Sequence, residues 1–113
     1  MNKNNTFNKG KFYEYIASKY LINKGYKIIS KNIYSKLGEI DILATKDNKL
    51  IIVEVKGGKL RYQNINKNKI NKIINTFLIK ESNLKISKFK EIQIDIVFVD
   101  EDNNIEHIEN IIF

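Results

Sequence analysis

The stretch from Gly38 to Lys56, GEIDILATKDNKLIIVEVK, restricts the fold more than any other part of the chain. Two runs rich in Ile, Leu and Val, Gly38 to Thr45 and Leu50 to Lys56, read as strands on either side of Lys46-Asp47-Asn48-Lys49. Asp and Asn tolerate the positive φ that a two-residue hairpin turn requires. A turn at Asp47-Asn48 pairs Lys46 with Lys49, and counting back puts Asp41 opposite Glu54 and Glu39 opposite Lys56. Side chains alternate along a strand, so Glu39, Asp41, Glu54 and Lys56 project from one face. Directly opposed β-carbons lie about 5 Å apart.

Two carboxylates held that close repel, and one of them takes up a proton unless something compensates. A divalent cation does so, with carboxylate oxygen as its preferred ligand. The chain has no cysteine and one histidine, His107, which excludes thiolate and multi-histidine sites and leaves a hard ion, Mg2+ or Mn2+. Lys56, two residues after Glu54, brings a positive charge to the same face. That combination suits phosphoryl chemistry: cation for phosphate and water, lysine for developing charge. The competing reading is a solvated face of cross-strand ion pairs, with Lys56 the partner of Glu39. Against it, stray carboxylates are expensive on strands this apolar, and an ion-pair face alternates signs rather than opposing Asp41 to Glu54.

Around this hairpin the chain reads as one domain over residues 1–113. Residues 7–24 form a helix with Phe12, Ile16, Ala17, Tyr20 and Leu21 at helical spacing and Gly25 as its C-terminal cap. Glu14 lies in line with Ala17 and Leu21; it is either a partly buried structural residue or one aimed at a site. Tyr26 to Tyr34 is a strand, Ser35 to Gly38 a turn, and Gly57 to Asn66 a basic, glycine-containing loop. Residues 67–82 form a second helix with Ile70, Ile73, Ile74, Phe77 and Leu78 on one face. Glu91 to Asp100 alternates as a strand, and Ile105 to Phe113 reads as a final one. The order α-β-β-β-α-β-β, with crossover spacing from Leu50 to Glu91, predicts a right-handed parallel connection and an α/β fold, a mixed sheet flanked by helices.

The net charge of +7 invites a polyanionic partner, although a chain rich in Lys, Asn and Ile with a single Arg also arises from AT-rich coding. The distribution is more telling. Residues 1–36 carry eight lysines and one acid, residues 57–90 nine basic residues and one acid, and residues 91–113 seven acids and no base. Lys59, Arg61, Lys69 and Lys72, just after the Glu54 strand, are the expected phosphate contacts, and the acidic end faces away. No apolar run is long enough to span a membrane and no leader is visible, so a cytoplasmic protein is expected.

Asp41, the Glu54-Val55-Lys56 triplet and an upstream helical glutamate together resemble the PD-(D/E)xK nuclease superfamily. The wording around them is similar to one bacterial branch, the YraN family. The blocks that carry the likeness are Lys9-Gly10 through Glu14 and Ala17, Tyr20-Leu21, Gly25-Tyr26, Asn32, Gly38-Glu39-Ile40-Asp41, Val53-Glu54-Val55-Lys56, Ile94-Asp95 and His107-Ile108-Glu109-Asn110. The resemblance implies a restriction-endonuclease-like fold, with Asp41 and Glu54 as metal ligands and catalytic residues and the Val55 carbonyl as a further ligand. It makes Glu14 an auxiliary metal ligand and Lys56 the catalytic lysine. Similar spacing occurs in archaeal Holliday-junction resolvases, which are dimers. A homodimer and a nuclease acting on structured or branched DNA, ahead of RNA, follow as expectations. The alternative is a nucleic-acid-binding module on the same fold with little or no catalysis. Four positions depart from the pattern this resemblance implies. Tyr13 replaces a glycine, Gln93 replaces an arginine, and Gly57-Gly58 stands where a short polar residue and an arginine are usual. Asp95 reads as a strand residue satisfied by its neighbours.

Overall fold

Asp47 and Asn48 adopt φ of 54° and 64°, the left-handed pair that a tight hairpin turn demands. The computed structural model describes residues 9–58, 66–84 and 89–111. Within them, helix α1 (Lys9–Asn23) is followed by strands β1 (Lys27–Ser35), β2 (Gly38–Lys46) and β3 (Lys49–Gly57). Helix α2 (Lys67–Leu84) then leads to β4 (Glu91–Val99) and β5 (Ile105–Ile108). The strands form one mixed sheet in the order β1-β2-β3-β4-β5. All neighbours are antiparallel except β3 and β4, which run parallel from Lys49↔Glu91 to Gly57↔Val99.

Alternation along β3 separates two cores. Leu50 and Ile52 pack with Ile70, Ile73 and Phe77 of α2. Ile51 and Val53 pack with Ala17 and Leu21 of α1. One helix therefore covers each face, as an α/β sheet buried on both sides requires. Gly25, at φ 95°, ends α1: its N–H reaches the Ile22 carbonyl and the Tyr26 N–H reaches the Leu21 carbonyl, both at 3.0 Å. Asn66 starts α2, its side-chain oxygen accepting the Lys69 N–H at 2.9 Å.

The expected final strand is shorter than its pattern suggested. β5 stops at Ile108. Asn110 takes φ 57°, its N–H bonds to Asp95 Oδ1 at 3.0 Å, and the Ile111 N–H reaches the Ile94 carbonyl. A buried carboxylate thus turns the chain out of the ladder, which apolar spacing alone does not register. Residues 7 and 8 of the expected first helix, and most of the loop after Gly58, lie outside the described residues.

Candidate metal centre

The hairpin register is the expected one from Lys46↔Lys49 to Ile42↔Val53, and there the β2–β3 ladder stops. β2 stays paired with β1 down to Ser35↔Gly38, and β3 stays paired with β4 up to Gly57↔Val99. The sheet therefore forks, and Asp41 and Glu54 sit one position beyond the last shared rung. Antiparallel alternation would give the Val55 N–H to Ile40 at the next bonded rung. It goes instead to Asp41 Oδ2 at 2.8 Å. A side chain has taken over from the backbone ladder at the crotch of the fork.

Four carboxylates meet there. Asp41 and Glu54 are only 9% and 5% exposed. Ligand oxygens of Glu14, Glu39 and Asp41 lie within 4.8 Å of one another and form a group able to hold a metal ion. Burial, and next the charge of Glu54, push the Asp41 carboxyl up to about 9, against which the Val55 N–H works. Burial also raises Glu14, with Glu39 adding to the effect; Lys11, Asn32 and Lys31 oppose it. Oriented to satisfy both neighbours, the Asn32 amide donates to Glu14 Oε1 at 2.9 Å and accepts from Lys11 Nζ at 3.2 Å.

The cations approach from β3 and α2. Lys56 Nζ lies 3.3 Å from Glu54 Oε2, and Lys69 Nζ lies 3.7 Å from the same oxygen. Burial, and secondarily the neighbouring Lys69, lower the Lys56 ammonium, while Glu54 opposes the shift. A depression of about 610 Å3 collects these groups: Glu39, Asp41, Glu54, Val55, Lys56, Lys69 and Lys72 all line it, together with the turn from Tyr34 to Gly38.

Of the residues singled out in the sequence, Asp41, Glu54, Lys56 and Glu14 converge, and Lys69 and Lys72 border the same depression. Lys59 and Arg61 fall outside the described residues. Glu39 is the residue the hairpin argument placed but misassigned. It pairs with Tyr34 of β1 rather than with Lys56, so its carboxylate joins the acidic cluster while Lys56 turns to Glu54. Asn32 matters because it orients Glu14, and its φ of 55° gives only a faint sequence signal, an Asn within a strand. Two departures from the family pattern also fall together. A Cβ on Gly57 would overlap the Tyr13 ring, so the bulky residue on α1 occupies the space a side chain after Lys56 would need.

Residues 13–99 match the profile described as Uncharacterised protein family UPF0102. The chain belongs to this family. UPF0102 is the YraN family that the motif wording resembles. The UPF0102 protein of Sulfurihydrogenibium sp. is 44% identical over 109 residues, covering 90% of this chain and 91% of its own. That of Campylobacter fetus is 44% identical over 103 residues, covering 88% and 89%. That of Petrotoga mobilis is 39% identical over 106 residues, covering 88% and 92%. The UPF0102 match takes in Glu14, Glu39, Asp41, Glu54, Lys56, Lys69 and Lys72, starts after Lys11 and ends with β4 at Val99. Among the described residues, no helix is long and apolar enough to cross a membrane.

Proposed function

We propose that this UPF0102 protein is a metal-dependent endonuclease hydrolysing phosphodiester bonds in structured or branched DNA. The observation that carries the reading is the buried Asp41, set among Glu14, Glu39 and Glu54 with its carboxyl pushed up to about 9. Such a cluster is a poor structural device, because its carboxylates crowd a buried aspartate and oppose its ionisation. It is a good oxygen cage for Mg2+ or Mn2+, held by Asp41 and Glu54 with Glu14 and Glu39 and assisted by the Val55 carbonyl. When bound, the divalent ion neutralises phosphate charge and makes a water acidic enough to attack at neutral pH.

The chain's own groups divide the remaining work. Asp41 would hold such an ion only as the carboxylate, so binding would be coupled to loss of its proton. Lys56, anchored by Glu54, presents an ammonium to the phosphorus oxygens, where charge grows in the transition state. Lys69 and Lys72 hold flanking phosphates and set strand position rather than sequence preference. Cleavage of a panel of labelled junctions, flaps, duplexes and single strands, with and without Mn2+, tests this. Mn2+-dependent cutting of branched strands is expected. Tight binding with no cutting under any condition overturns the enzyme and leaves the binding module.

A further inference from the structure

The depression is not lined by charged groups alone. Tyr34 and Leu37, at the tip of the β1–β2 hairpin, are 56% and 47% exposed and line the same cavity as Asp41, Glu54 and Lys56. Tyr34 is the direct cross-strand partner of Glu39, a member of the carboxylate cluster. Paired residues project from the same face with β-carbons about 5 Å apart, so the phenol ring starts one side chain from the metal-binding oxygens.

The tip is held in place. Ser35 Oγ lies 2.9 Å from Thr76 Oγ1 of α2, and the Leu37 N–H donates back to Ser35 Oγ at 3.0 Å. Gly38 presses on α2 so closely that a Cβ there would stand 3.1 Å from Lys72 Cβ and 3.3 Å from the Lys72 carbonyl oxygen. An aromatic ring on a rigid seat, left in water, costs little conformational entropy when a flat partner covers it. The surroundings say which partner. Lys36, Lys56, Lys69 and Lys72 border the same space, and lysine is depleted from the cores of protein interfaces. A lysine-lined groove with an aromatic platform is how proteins hold single-stranded nucleic acid: ammonium groups follow the backbone, and the ring takes a base face.

We propose that Tyr34 is a specificity-determining residue that stacks an unpaired nucleobase beside the scissile phosphate, so the substrate class is DNA with an unstacked base at or next to the cut. This rests on the nuclease reading above and narrows it. In the interior of a continuous duplex both faces of every base are covered by neighbours, and Tyr34 has nothing to stack on. At a flap, gap or open branch point one face is free, and the ring and Leu37 cover it.

The test compares two DNAs of identical length, a blunt duplex and a duplex carrying a short unpaired tail, bound by the full chain in Ca2+ with strand integrity checked on gels. The tail carries 2-aminopurine next to the junction. The unmodified protein should prefer the tailed DNA and quench the 2-aminopurine. Tyr34→Ala should lose about 10-fold in affinity for the tailed DNA and nearly nothing for the blunt one, with the quenching gone. Tyr34→Phe should restore both readings. Tyr34→Leu, which keeps apolar bulk without a ring, should restore neither fully. Equal losses on the two DNAs, or no loss on either, overturn the stacking proposal while leaving the nuclease reading standing. Failure of the unmodified protein to bind any DNA overturns both.

Discussion

Asp41 and Asp95 lie two strands apart in the sheet, both nearly or wholly out of water, and their surroundings are opposites. Asp95 is ringed by donors. Its Oδ1 accepts from Gln93 Nε2 at 2.9 Å and from the Asn110 N–H at 3.0 Å, and its Oδ2 meets His107 Nε2 at 2.8 Å. The other ring nitrogen of His107, Nδ1, lies 2.9 Å from the Tyr20 hydroxyl. Burial raises Tyr20, with Glu109 and Asp95 contributing, which keeps the proton on that hydroxyl. Among the described residues, Asp41 accepts one main-chain N–H and faces Glu14, Glu39 and Glu54. Burial is thus common to both, and the sign of the company differs. Asp95 clamps β4, β5 and α1 together. Asp41 holds an electrostatic conflict that a proton or a cation must resolve.

The sharpest way to break this contrast is to neutralise each aspartate in turn. Asp41→Asn should lower cleavage by at least about 1,000-fold, roughly 4 kcal/mol of transition-state stabilisation, and should abolish Mn2+ binding by calorimetry. Asp95→Asn should keep Mn2+ affinity at the unmodified value; equal loss of metal in the two variants would erase the distinction. Lys56→Met should slow single-turnover cleavage by about 100- to 1,000-fold with metal affinity unchanged, since ligation uses carboxylates. A Lys56→Met protein that cuts at the normal rate would remove the proposed chemistry from the fork.

Stability measurements sharpen the other half. Asp95→Ala strands His107, Gln93 and the Asn110 N–H together and should cost about 3 kcal/mol in denaturant unfolding. The smallest effect has the opposite sign. The folded-state value of Asp41, about 9, lies far above its ordinary 3.8, so the folded chain keeps a proton that the unfolded chain releases. Its stabilising contribution is therefore complete below about pH 4 and is lost as pH rises through 9. At pH 8 without metal, Asp41→Asn should melt about 3–6 °C higher than the unmodified protein, a gain of order 1 kcal/mol. It should also flatten the alkaline slope; a lower melting temperature would mean Asp41 is compensated already.

The contrast also marks what sequence can and cannot carry. Asp47 and Asn48 impose the turn, the turn imposes the register, and the register brings Asp41 to Glu54. The crossover from β3 through α2 to β4 was legible from spacing, because segments of that length and periodicity admit few connections. Glu39 was placed on the right face yet given the wrong neighbour, because the fork that ends the β2–β3 ladder depends on β1 holding β2 away. Lys69 read as a phosphate contact and stands beside Glu54, a consequence of where α2 docks. The early end of β5 and the role of His107 were hidden for the same reason: both depend on one carboxylate distant in sequence.

The overlap of Tyr13 with any side chain at position 57 couples the two positions. The resemblance drawn from the sequence implies a glycine on the helix and a side chain after the lysine, and this chain has Tyr13 and Gly57 instead. The two arrangements fill one volume from opposite sides and cannot coexist. Transplanting Gly57→Ser alone into this chain should displace the strand end that carries the lysine, whereas Tyr13→Gly with Gly57→Ser should be accepted. The two sites are coupled by packing, because one volume serves both side chains.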